Sequence, residues 1–124
     1  MLRILIIDDD PQIVGLLDKF LVREGHTVFT ACNGKEGLRL LDTVAVDLLI
    51  TDIIMPEQDG LEVLMSLENK PNRPKIIAMS GGSTSLDQKH LLDIAKMLKA
   101  DVVLSKPLQL SHLSEIIEGM QNIP

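Results

Sequence analysis

"RILIIDDDP", residues Arg3 to Pro11, decides how this chain is read. An apolar run ends in three aspartates, and a proline follows at once. Ile4 to Ile7 is continuous rather than alternating, which fits a strand covered on both faces, as in a parallel sheet. Pro11 suits the first position of a helix, and an aspartate just before it suits the N-cap. Asp10 takes that role. Three consecutive carboxylates are more than a cap requires, and they repel one another unless a cation joins them.

The same punctuation recurs down the chain. Further apolar runs cover Thr27 to Ala31, Leu48 to Thr51, Lys75 to Met79 and the short Val102 to Leu104. Helical spacings of three and four lie between them. Pro11 to Glu24 carries Ile13, Val14, Leu16, Leu17, Phe20 and Leu21, and Gly25 suits the residue past its end. Lys35 to Asp42, Asp59 to Leu67 and Ser85 to Leu98 repeat the pattern. Ser111 can cap a last helix bearing Leu113, Ile116, Ile117 and Met120. Strand then helix, five times over, predicts a doubly wound α/β domain with right-handed crossovers. Ligands in such sheets sit at the carboxyl ends of the strands.

Composition narrows the function. The chain has 124 residues, the size of one domain, and 45% are hydrophobic. Two Phe are its only aromatics, so the core is expected to be aliphatic and base stacking is not expected. A net charge of −6 argues against binding a phosphate backbone. Cys32 is the only cysteine, which excludes an intrachain disulfide. It is expected to be a small buried hydrophobe. The apolar start is too short to span a membrane, and its acidic end is unlike a signal-peptide cleavage region. A single soluble, cytoplasmic domain over 1–124 is the expectation, with no output domain in this chain.

The polar residues at the strand ends carry the chemistry. Asp8, Asp9 and Asp10 follow the first run, and Asp52 follows the third. Ser80 follows the fourth, and Ser105 and Lys106 follow the fifth. The second ends in Cys32 and Asn33, with no charge. Each residue alone has a bland reading: a cap, a turn serine, a solvated lysine. Together, on contiguous strands, they form a pocket of carboxylates with one hydroxyl and one ammonium. Such an oxygen-rich cluster suits Mg²⁺. A carboxylate beside Mg²⁺ can accept a phosphoryl group as an acyl phosphate, with lysine, hydroxyl and backbone N–H groups taking the phosphoryl oxygens. His26, His90 and His112 are expected on the solvated surface, and no serine or cysteine has a partner base at suggestive spacing.

At these residues the chain resembles the receiver domain of bacterial two-component response regulators, the CheY-like type. "ILIIDDD", "DLLITDIIMPEQDGLEVL", "KIIAMSGG" and "LSKPL" carry the resemblance over essentially the whole length. It implies a flavodoxin-like (βα)5 sandwich around a five-stranded parallel sheet of order 2-1-3-4-5. It implies that Asp52 is the phosphoacceptor, Ser80 the switch hydroxyl and Lys106 the lysine that pairs with the phosphoryl group. Backbone N–H groups of Ile53 and Gly81 would bind phosphoryl oxygens. Asp9, Asp52 and the Ile54 carbonyl would hold Mg²⁺, or Mn²⁺, with Asp8 acting mainly through water. The Lys106–Pro107 bond is usually cis in the family.

The resemblance also implies partners. A sensor histidine kinase, or a histidine phosphotransfer protein, would donate the phosphoryl group. The face built by the helix after Ser85, the Val102 strand and the last helix would then change its affinity for a downstream protein. No direct nucleic-acid or membrane contact is expected, and a monomer or weak dimer is. Val103 stands where the family usually places Tyr, Phe or His, so the output face is expected to change less or by another route. Ile54 and Gly82 offer no acid or amide to position a hydrolytic water, so slow loss of the phosphoryl group is expected. The chain is not expected to be an enzyme beyond Mg²⁺-dependent autophosphorylation and slow self-hydrolysis. A phosphorylation-independent interaction module is the alternative. An aspartate-nucleophile phosphatase does not fit, because Ile53-Ile54 follow the acceptor without a second aspartate two positions on.

Overall fold

In the computed structural model, residues 1–53, 60–68, 70–80, 93–94 and 96–121 are described. The strands are β1 (Arg3–Ile7), β2 (Thr27–Ala31), β3 (Leu48–Asp52), β4 (Lys75–Ser80) and β5 (Val102–Ser105). The helices are α1 (Pro11–Arg23), α2 (Gly34–Thr43), α3 (Gly60–Leu67) and α4 (Leu110–Gln121). Residues 93–94 and 96–97 are also helical and belong to the stretch expected from Ser85 to Leu98. The strands form one parallel sheet of order β2-β1-β3-β4-β5.

The continuous apolar runs are explained by two separate cores, one on each face of the sheet. Leu5, Ile7 and Leu49 point to a core closed by Val63, Leu64 and Leu67 of α3, with Leu38 and Leu41 of α2 packed against it. Ile4, Ile6, Leu48 and Ile50 point to the other, closed by Leu17 and Leu21 of α1 and Leu113 and Ile117 of α4. Every residue of β3 is buried, whereas the outer strands β2 and β5 are mostly half-buried. Each fully buried Leu or Ile contributes about 1.5–3 kcal/mol relative to exposure, so the central strands hold the fold.

Local chemistry sets the helix ends. The Asp10 carboxylate accepts the Gln12 N–H at 2.9 Å, with Pro11 at the first helical position. Gly25 takes a φ of +95°, a conformation costly for any residue with a Cβ, just beyond the α1 cap. The Asn33 side chain caps α2 by accepting the Glu36 N–H at 2.8 Å.

Several expectations are corrected. β3, β4 and β5 each run one residue further than their apolar runs, because the parallel ladder continues: Asp52 pairs with Met79, and Ser80 with Ser105. Asp52, Ser80 and Ser105 are therefore the last residues of their strands, whereas Asp8, Asp9 and Lys106 lie just past theirs. Ser111 does not cap the last helix. It lies inside α4, which begins at Leu110, and the Gln109 carbonyl accepts the Leu113 N–H. Cys32 is exposed, because β2 ends at Ala31 and the next side chain leaves the sheet edge. His26 is half-buried and its Nδ1 accepts the Leu2 N–H at 3.0 Å, whereas His112 is exposed. His90 lies outside the described residues.

Candidate functional site

β1 delivers Asp8 and Asp9 to the carboxyl edge of the sheet, β3 delivers Asp52, β4 delivers Ser80 and β5 leads into Lys106. Asp8, Asp52 and Ser80 are buried, and Asp9 is exposed. Lys106 Nζ donates to Asp8 Oδ2 at 2.8 Å and to Asp52 Oδ2 at 3.1 Å. One ammonium thus bridges two carboxylates from strands on either side of the sheet's topological switch. The other oxygen of Asp8 accepts the Asp10 N–H at 2.9 Å. Asp10 is thereby tied to both the cap and the acidic cluster.

Lys106 is aimed by its backbone. Its N–H donates to the Ser80 carbonyl at 2.9 Å, continuing the β4–β5 ladder. The Lys106–Pro107 bond that follows is cis. Ser80 lies at the same sheet edge, beside Ser105 in register. Val103 pairs with Ala78 and packs against the core under α3. Ile54, Gly81 and Gly82 lie outside the described residues, as do Met55, Pro56 and Asp59.

The Ile53 N–H, expected to bind a phosphoryl oxygen, donates to the Met79 carbonyl at 2.9 Å where the β3–β4 ladder extends past Asp52, and it also bonds the Asp52 carboxyl.

Charge in the pocket is unbalanced. Asp8, Asp9 and Asp52 each offer an oxygen, and the three lie within 4.8 Å of one another. Burial pushes the Asp52 carboxyl above the usual carboxylate range, and Asp8 adds to this, while Lys106 pulls it back. Burial works to lower the Lys106 ammonium, but its bonds to Asp8 and Asp52 together hold it above its ordinary value. Three carboxylates against one ammonium leave negative charge facing an opening. Donors that are all hard oxygen, one of them solvent-facing, fit Mg²⁺ better than a thiophilic metal.

Two features were not legible from motif chemistry. The Thr51 hydroxyl donates to the Asp52 carbonyl at 2.9 Å. Gly60 packs so closely on the Asp52 backbone that a Cβ there would overlap it, and its N–H donates to the Ile53 carbonyl at 2.7 Å. The glycine after Asp59 was a visible signal, but its neighbour was not.

An aliphatic parallel sheet with an acidic cluster at its carboxyl edge defines a doubly wound α/β domain whose oxygen donors could hold a cation. Comparison with known proteins makes the class specific. The model of the response regulator receiver domain family matches residues 4–118. The chain is 35% identical over 107 residues to the regulatory protein VanR of Enterococcus faecium, covering 86% of this chain and 44% of that protein. It is 42% identical over 82 residues to the transcriptional regulatory protein GlrR of Escherichia coli K12, covering 65% of this chain and 18% of that protein. The chain therefore spans less than half the length of these curated relatives.

Solved structures agree. A CheY-like receiver domain from Methanospirillum hungatei superposes with a TM-score of 0.87 at 28% identity, covering 97% of this chain and 93% of that one. The response regulator TrrA of Thermotoga maritima, solved with Mg²⁺ and BeF, gives 0.81 at 34% identity, covering 97% and 99%. This chain belongs to the response-regulator receiver domain family of two-component systems. No described helix is long and apolar enough to cross a membrane.

Proposed function

We propose that this receiver domain accepts a phosphoryl group on Asp52 from a phosphohistidine of a sensor kinase or phosphotransfer protein. The observation that carries the reading is the pair of bonds from Lys106 to Asp8 and Asp52 at 2.8 and 3.1 Å. An ammonium already seated on the acceptor is positioned to pair with a phosphoryl oxygen without a large rearrangement. An Asp52 oxygen attacks phosphorus, the P–N bond breaks, and the imidazole keeps the electron pair and takes a proton from water. Asp8, Asp9 and Asp52 are the residues to hold Mg²⁺, which when bound would offset the charge of the incoming group. Ser80, buried at the end of β4, lies on the strand next to Asp52 and serves as the hydroxyl that follows the phosphoryl group.

Regulation follows from a population shift on the face around β5 and α4, read by a downstream protein. Relatives named as transcriptional regulators support a role in signal output. The chain acts in the cytoplasm, where kinase and phosphodonor reside. Its own turnover is confined to autophosphorylation and slow self-hydrolysis.

Incubation with acetyl phosphate and Mg²⁺, read by intact mass, tests this. A single phosphoryl adduct on the wild type, absent from Asp52→Asn, is expected. No adduct, or an equal adduct on the variant, would favour the phosphorylation-independent module, for which Val103 in place of an aromatic is the specific observation.

A further inference from the structure

The pole of the molecule opposite Asp52 carries a groove that phosphoryl chemistry does not use. It lies below the amino ends of β3 and β4, between the last turns of α2 and α3 and the segment 70–74. Its volume is about 550 Å³, with apolar walls from Leu41, Val44, Leu67 and Pro74. A second groove of about 520 Å³ shares Asp47 and Arg73 with it and runs past Lys75 to Asp101. Arg73 lies where the two meet. Its Nη2 donates to the Lys99 carbonyl at 2.9 Å, but its Nη1 is buried and has no hydrogen-bond partner among the described residues. A guanidinium stays charged at any ordinary pH, and a buried N–H of this kind almost always has an acceptor.

The acids at this pole are engaged elsewhere. Asp42 pairs with Lys70 at 3.2 Å. Asp47 accepts the Arg3 N–H and Asp101 accepts the Ile76 N–H, each at 2.8 Å. In a chain of net charge −6, Arg73 is a cation with an unmet demand for an acceptor beside an apolar trough.

We propose that this groove docks a segment of a partner protein in which a glutamate or aspartate lies between apolar residues. The carboxylate accepts from Arg73 Nη1, and a neighbouring apolar side chain rests on Leu41, Val44 and Leu67. Lys70 at the rim offsets Asp42, so its loss would leave that carboxylate's charge uncompensated beside the groove. A nucleic acid would match the cations but not the apolar walls, so a peptide segment is the better complement. Since Nη1 is covered, the guanidinium turns toward the groove as the carboxylate enters, and its bond to Lys99 is exchanged. Lys99 closes the helical stretch that precedes β5, so docking is felt there. The inference does not depend on Asp52 being phosphorylated.

The test uses the whole chain, ¹⁵N-labelled, titrated with the acetylated and amidated peptide Leu-Glu-Leu-Glu-Leu and with its Leu-Gln-Leu-Gln-Leu counterpart. Saturable shifts at Leu41, Val44, Arg73 Nε–H and Lys99 with the glutamate peptide, and much weaker ones with the glutamine peptide, are expected. Arg73→Gln should weaken binding about tenfold, as loss of one charge-assisted bond does. Lys70→Gln, at an exposed side chain, should weaken it about twofold, and it keeps the test decisive should Arg73→Gln fail to fold. Asp52→Asn should bind as the wild type does. No saturable shift at the groove, an equal response to both peptides, or affinity unchanged by Lys70→Gln and Arg73→Gln overturns the proposal.

Discussion

At the scale of single residues, the site is governed by how burial and pairing divide charge. Asp52 is held above its ordinary carboxyl value of 3.8, chiefly by burial. The folded state therefore binds the Asp52 proton more tightly than the unfolded chain does. Ionisation of Asp52 thus costs stability as pH rises through its folded value. In metal-free buffer, urea unfolding from pH 3.5 to 8 should show Asp52→Asn gaining on the wild type as pH increases. A gap independent of pH would contradict this. Lys106 has a linkage of the same sign at higher pH: its raised value contributes stability that is complete below 10.5 and is lost as pH rises through its folded value. Lys106→Met strands two buried carboxylates and should cost about 3 kcal/mol at pH 7, measured by denaturant unfolding without metal. His26 is a third case. Burial and the nearby N-terminal ammonium lower it from 6.5, against Glu24, and its Nδ1 must stay unprotonated to accept from Leu2. Its contribution is present above pH 6.5 and lost as pH falls through its folded value. An NMR titration should place His26 below 6.5, and His26→Gln should remove that part of the acid slope.

At the scale of elements, the aspartate triplet divides between two structures. Asp10 closes the first turn of α1 and sends its N–H to Asp8, so one residue couples helix start to site. Asp10→Ala should lose about 1 kcal/mol as a cap does, read in urea. It keeps the backbone N–H, so phosphorylation by acetyl phosphate should survive. Glycines in two helices make a sharper contrast. A Cβ at Gly60 would overlap the Asp52 carbonyl, while nothing lies near a Cβ at Gly119 in α4. Gly60→Ala should therefore destabilise by about 1–3 kcal/mol through overpacking and slow phosphorylation. Gly119→Ala should stabilise by about 0.5–1 kcal/mol. A Gly60→Ala protein with wild-type stability and adduct yield would show that α3 moves away at no cost. Both glycines read alike in the sequence, because the contact that separates them is made by the strand, not by the neighbours in the chain.

At the scale of the whole molecule, the two ends of the sheet do different work. The carboxyl edge gathers Asp8, Asp52 and Lys106 from positions up to 98 residues apart. The amino edge is tied by Asp47 to Arg3 and by Asp101 to Ile76, and it is where Arg73 waits for an acceptor. Beryllofluoride with Mg²⁺, followed by NMR, should shift Ser80, Lys106 and the residues of β5. Silence at Val103 with clear shifts at Lys106 would mean that the signal leaves by a route other than β5. Persistence of the acyl phosphate over hours after removal of the donor would support the slow hydrolysis expected from Ile54 and Gly82, and rapid loss would contradict it.

Much of this was legible in the chain itself. Continuous Ile, Leu and Val runs mean two covered faces, so the parallel sheet followed from the pattern, and Asp10-Pro11 and Gly25 marked helix ends because caps are local chemistry. The acidic residues and the lysine were visible as polar breaks after apolar runs. Tertiary structure alone decided the rest, since it depends on atoms distant in sequence. The ladders carried Asp52 and Ser80 into the strands and committed Ile53 N–H to Met79. The end of β2 put Cys32 on the surface, and the fold around Leu2 gave His26 a donor. Side-chain type tells what a residue can bond, but only the packed sheet determines which partner comes within 3 Å.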